Sequence, residues 1–154
     1  MARLTNKGWV FLALLAGCSA PPPPVQPVRV DPTTESWYSP AVEEAARLSR
    51  EAESLFRQGK GDAAGEMVQK GQALVSRLLT APRPTLPAMQ VAGDLDDLYG
   101  RMLLANGNVG WAHLQFQKNV GRWKNWRPQT EETARRRKQA EQRIAECDRR
   151  LEQK

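Results

Sequence analysis

The stretch Val91-Ala92-Gly93-Asp94-Leu95-Asp96-Asp97-Leu98-Tyr99-Gly100-Arg101-Met102-Leu103 decides the fold class. Its large apolar residues, Val91, Leu95, Leu98, Tyr99, Met102 and Leu103, recur three and four apart. That spacing gathers them on one face of an α-helix. A half-buried strand would need apolar and polar residues to alternate, and no such alternation persists after Pro40. The spacing predicts a helix from Ala88 to Leu104. Pro82, Pro84 and Pro87 break the chain before it, and Asn106-Gly107-Asn108 turns it afterwards.

The same period appears on both sides. Upstream, Val42, Ala45, Leu48, Ala52, Leu55 and Phe56 form one stripe, opened by Ser39-Pro40 and closed by Gly59-Lys60-Gly61. Glu43 and Glu44 are expected in its first turn. Asp62 is the expected cap of a second helix, whose face carries Ala64, Met67, Val68, Gly71, Leu74, Val75 and Leu78. Downstream, Ala112, His113, Phe116, Val120 and Trp123 mark a fourth helix from Val109 toward Trp126. A charged segment from Thr130 to Glu152 carries a narrow stripe of Ala140, Ile144, Cys147 and Leu151. Glu131 with Arg135, Glu132 with Arg136, and Glu146 with Arg150 are spaced for ion pairs along that helix. The expected fold is all-α, with about five helices arranged in hairpins over residues 39–154.

The first residues carry a different signal. Met1 to Lys7 is basic and free of acids, and an apolar run follows from Gly8 to Ala16. The run is shorter than the roughly 20 residues that span a bilayer. It has the length of the apolar part of an export signal. It ends in Leu15-Ala16-Gly17-Cys18, which resembles the lipobox of bacterial lipoproteins. There a branched residue and two small ones precede the cysteine that receives lipid. The resemblance implies residues 1–17 as a signal peptide and Cys18 as the lipidated residue, with palmitate or a similar acyl chain. Ser19 after the cysteine implies, in the same family, delivery to the outer membrane facing the periplasm.

Residues 18–38 read as the lipidated cysteine and a tether. Pro21 to Pro24, Pro27 and Pro32 favour an extended polyproline conformation. At about 3.1 Å per residue, Ser19 to Pro32 would reach roughly 40 Å.

The hairpins resemble tetratricopeptide units. Gly100, Gly107, Ala112 and Phe116 match that pattern in the second hairpin, as do Ala52, Gly59, Ala64 and Gly71 in the first, with Val68 in place of the aromatic. Gly59 and Gly107 stand 48 apart where the family period is 34, and the leading tryptophan is absent. A generic helical bundle fits the same stripes.

Charge narrows the classes of partner. The chain carries +6 in all. From Arg122 to Lys154 eleven Lys or Arg face six Asp or Glu, a net of +5. A basic cytosolic protein would suggest nucleic acid. Export points elsewhere, to another envelope protein, anionic lipid or peptidoglycan.

Catalytic chemistry finds little support. His113 is the single histidine and lies near an apolar face. No nucleophile–base pair, zinc spacing, phosphate loop or dinucleotide fingerprint is present, so neither an enzyme nor a metal or other cofactor is expected. Asp94, Asp96 and Asp97 lack the spacing of a calcium loop and read as a solvated helix face. Cys147 reads as a buried thiol. The binding candidates are Trp111, Arg122, Trp123, Lys124, Trp126 and Arg127, where tryptophans interleave with cations that could meet sugar rings or anionic groups.

These features lead to the expectation of a non-enzymatic, membrane-anchored lipoprotein. It would serve as a helical adaptor or scaffold for an envelope protein. The alternative is a module binding cell-wall glycan or anionic lipid through the Trp/Arg patch.

Overall fold

A computed structural model describes residues 30–153. Cys18, the export signal and most of the tether lie outside them. The described residues hold a 3-10 turn at Pro32–Thr34 and five α-helices: α1 Tyr38–Arg57, α2 Gly61–Leu78, α3 Leu86–Ala105, α4 Val109–Asn125 and α5 Glu131–Glu152. The fold is all-α, as the apolar spacing predicts.

The boundaries follow from local chemistry. α1 starts at Tyr38, ahead of Ser39-Pro40, and Asp31 caps the turn before it by accepting from the Thr33 backbone N–H. Tyr38 is buried, and its hydroxyl accepts from the Thr85 N–H at 3.3 Å. So part of the expected tether belongs to the folded body. Glu43 and Glu44 fall beyond the first turn of α1. Asp62 does not cap α2; Lys60 takes the cap position and Asp62 sits in the first turn, where its carboxylate still meets the helix dipole. α5 opens with a reciprocal cap in which Thr130 and Thr133 each bond the other's backbone N–H, at 2.8 and 3.2 Å.

Gly59 and Gly107 turn the chain at the ends of α1 and α3. Both have φ of 75°, the left-handed region. Around each the backbone closes the same pair of bonds. Lys60 N–H reaches Leu55 C=O and Gly59 N–H reaches Phe56 C=O; Asn108 N–H reaches Leu103 C=O and Gly107 N–H reaches Leu104 C=O. This double closure satisfies the last carbonyls of each helix. A side chain is strained at that φ, so Gly107→Ala is expected to lower stability by about 1 kcal/mol. Chemical denaturation would measure it, and an unchanged midpoint would refute the account.

The register between helices is fixed by specific contacts. α1 runs parallel to α3, since Tyr38 meets Thr85 and Glu53 meets Arg101, offsets of 47 and 48 residues. α3 is antiparallel to α4: Gly93 faces Trp123 and Gly100 faces Phe116. α4 is antiparallel to α5, with His113 beside Asp148 and Trp123 beside Arg136. The chain is thus two hairpins offset by 48 residues, with α5 closing the stack. Ala52 and Gly100, Gly59 and Gly107, Ala64 and Ala112, and Val68 and Phe116 are all 48 apart.

Two apolar clusters form the core. The larger joins α1, α2 and α3 around Ala45, Ala52, Val68, Leu78, Leu95 and Leu98. The smaller joins α3, α4 and α5 around Leu104, Val109, Ala112, Phe116 and Cys147. Cys147 is buried there as expected. Leu151, expected on the same stripe, is instead 47% exposed, at the last turn of α5.

Candidate partner-binding cleft

Three helices present residues at the same spacing to one side of the molecule. α1 offers Arg50, Glu53 and Arg57; α3 offers Asp94, Asp97 and Arg101; α5 offers Arg136, Gln139 and Arg143. Each set is spaced i, i+3, i+7, which places all three residues on one helix face. Together they line a cleft of about 730 Å³, with the buried residues Gly93, Asn119, Trp123 and Ala140 also in its lining.

The α3 carboxylates are paired with cations; Asp96 and Asp97 depart from the expectation of a solvated face, while Asp94 is exposed as expected. Asp96 is 3% exposed and receives both Lys118, at 2.9 Å, and Arg122 from α4. Asp94 receives Arg136 from α5 at 2.6 Å. Asp97 receives Arg101 at 2.9 Å, with Arg143 at 3.6 Å. The reason is position. Asp96 turns toward α4 and Asp94 toward α5, and each of those helices supplies an arginine, while Asp97 is held by Arg101 of its own helix. Glu132 pairs with Arg136 and Glu146 with Arg150 as the spacing predicts, while Arg135 takes Glu132 in place of Glu131.

Across the cleft, Arg101 clamps Glu53 with two nitrogens. The Arg101 guanidinium, seconded by Arg57, holds the Glu53 carboxyl below the usual carboxylate range. Arg135 and Arg136 pull exposed Glu132 down to about 2. A depressed carboxylate stabilises the fold fully above its ordinary pKa near 4.5 and loses that contribution as pH falls through the lowered value. The melting temperature should therefore hold between pH 5 and 7 and drop below about 4.5. In Glu53→Gln the drop should be shallower, and an identical acid limb in both proteins would show that this pair carries none of it.

The cleft lining holds two buried acceptors without a hydrogen bond. Asn119 is buried and donates to Gly93 C=O at 3.0 Å, but its Oδ1 accepts no hydrogen bond, and neither does Asp97 Oδ1. Arg50 enters no ion pair among the described residues, so the cleft has a cation in reserve.

The six residues singled out from sequence do not form one surface. Trp123 is 1% exposed and packs beneath Gly93, with the Arg136 guanidinium 5.4 Å from its ring. Arg122 is spent on Asp96, with its side chain 6% exposed. Arg127 donates to Lys124 C=O and Trp126 C=O, closing the end of α4. Lys124 is exposed and Trp126 half-buried at that end. Trp111 is exposed at the other end, about 22 Å away along the helix. Residues 122 and 123 are neighbours in sequence but stand about 100° apart around a helix, so interleaving along the chain became separation in space.

No protein-family model, curated protein or solved structure matches the chain.

His113 lies 3.2 Å from Asp148 and ties α4 to α5. No group of three His, Cys, Asp or Glu among the described residues could hold a metal ion. No helix among them is long and apolar enough to cross a membrane. Sequence reading missed Arg50, Glu53, Arg101, Asn119 and Arg143. Arg50, Glu53, Arg101 and Arg143 belong to i, i+3, i+7 triplets that the sequence displays, but nothing in the sequence turns those triplets to one side of the molecule.

Proposed function

We propose that this chain is a lipid-anchored protein of the bacterial envelope whose helical domain holds another protein in the cleft between α1, α3 and α5. It acts as an adaptor without catalysis of its own. The observation that carries the reading is the cleft, where three helices present side chains at the same spacing to one side. Stacked helical hairpins commonly bind partners along such a shared inner face. The small residues Ala52, Gly100, Ala64 and Ala112 support a kinship in design with tetratricopeptide-like hairpins, with a 48-residue offset in place of that family's 34. The lipobox-like Leu15-Ala16-Gly17-Cys18 supports the anchor. Ser19 supports delivery to the outer membrane, with the domain in the periplasm.

The anchor is tested by intact mass and membrane fractionation. Wild type should lose residues 1–17, gain acyl mass and sediment with membranes; Cys18→Ala should do none of these. Soluble, uncleaved wild type would sink the anchor. The cleft is tested by a photocrosslinker placed at Ser49 or Gln139 in cells. One discrete adduct is expected from those sites, lost in Arg50→Glu while the melting temperature holds. Equal crosslinking from Gln69, on another side of the molecule, would sink it.

A further inference from the structure

The cleft leaves a second surface unexplained. Trp111 and Leu114 are 66% and 51% exposed, one turn apart on the outer face of α4. Leu151 is 47% exposed, and the antiparallel register that sets His113 beside Asp148 brings it abreast of Gly110. Apart from Val30, ahead of the first turn, these are the large apolar side chains most exposed among the described residues. None belongs to the cleft.

The hairpin that carries them is basic. From Val109 to Glu152 eleven Lys or Arg face six Asp or Glu, a net of +5, whereas Tyr38 to Ala105 has eight against nine, a net of −1. α4 itself holds no acidic residue. Lys118 lies one turn beyond Leu114 with a 58% exposed side chain, and Arg149 near Leu151 enters no ion pair among the described residues.

We propose that this face of the α4–α5 hairpin rests on an anionic lipid surface, with Trp111 at the headgroup boundary and Leu114 and Leu151 dipping beneath it. Tryptophan partitions to that boundary because its ring is apolar and its N–H can stay hydrated. A basic helical hairpin adds attraction to anionic headgroups, and shallow apolar insertion together with charge is the usual basis of interfacial binding. The proposal rests on the anchored reading above for the presence of a bilayer. The geometry allows both at once. The chain joins the fold at the start of α1, the end of the helices opposite Trp111, and α3 is about 30 Å long. An extended Ser19–Pro32 would reach roughly 40 Å, enough for the domain to lie down on the membrane that holds it. With α4 downward, the cleft between α1, α3 and α5 remains open for a protein.

The test uses the purified mature protein, with intact mass recorded, on vesicles of phosphatidylcholine with or without phosphatidylglycerol, in which some acyl chains are brominated to quench tryptophan. Subtracting the Trp111→Ser protein isolates Trp111 emission. That emission is expected to fall about twofold or more on the anionic vesicles and little on the neutral ones. Unacylated protein beginning at Ser19, compared with the same protein carrying Leu114→Ser, should show roughly tenfold weaker partition for the variant. Unquenched Trp111, or equal partition by the two unacylated proteins, would overturn the proposal. So would a dimer that forms without vesicles and is lost in Trp111→Ser, which would assign the face to a second copy. A missing acyl group would sink only the anchor, since the quenching of Trp111 is read independently of it.

Discussion

Gly100→Ala is expected to lower the melting temperature by about 10 °C, an effect out of proportion to one methyl group. A Cβ at Gly100 would lie 2.5 Å from Phe116 Cε1 and 2.7 Å from its Cζ, and Phe116 is fully buried. α3 and α4 can approach this closely only because one partner has no side chain. Phe116 has no free space to retreat into, since Ala112, Leu104 and Cys147 surround it in the same cluster. Overpacking of this kind costs typically 1–3 kcal/mol, and the severe overlap argues for the upper end. In a domain of about 120 residues that is roughly 10 °C. Gly100→Ala with Phe116→Leu should recover much of the loss, because the smaller side chain clears the new methyl. Differential scanning calorimetry of the three variants decides it. A fall of less than about 2 °C for Gly100→Ala would mean that the helices separate at little cost.

Asp96→Asn should be nearly as damaging for the opposite reason, a charge deprived of its partner. Asp96 and the Arg122 side chain are both almost wholly buried. Removing one member of a buried pair leaves the other uncompensated, at a cost of about 3–5 kcal/mol. Lys118, more than half exposed, swings into water and adds little. Asp96→Leu combined with Arg122→Met should be far less destabilised than the single change, because a buried pair replaced by apolar groups of similar volume is often close to neutral. Urea unfolding measures both. If Asp96→Asn matched wild type within about 0.5 kcal/mol, the pair would not be holding α3 to α4.

The same residues show what could be read in advance. The stripes of α1 to α4 are legible because burial is set by helical period, and Ala45, Leu48, Ala52, Leu95, Leu98, Phe116 and Trp123 are all buried on them. The 48-residue offset is legible in Gly59 and Gly107, because only a left-handed turn demands glycine there. Trp123 carried two signals, its place on the stripe and its neighbours Arg122 and Lys124; the stripe prevailed because packing acts through helical faces and not along the chain. Asp96 and Asp97 were misread because a carboxylate on a helix looks solvated until the helices beside it are placed, whereas Asp94 is exposed as expected. The cleft was unreadable for the same reason. It is built from side chains 42 to 48 residues apart, and that pairing follows from the stack.

Cys147 lies at the heart of the smaller cluster, wholly enclosed, and burial pushes its thiol above the usual range. In the native molecule it is therefore both out of reach of a thiol reagent and a poor nucleophile. It can be labelled only when α5 swings off α4. With Cys18 acylated or replaced, the rate at which a reagent consumes this one sulfur becomes a clock for the opening of the last hairpin, readable in a membrane suspension where calorimetry is blind.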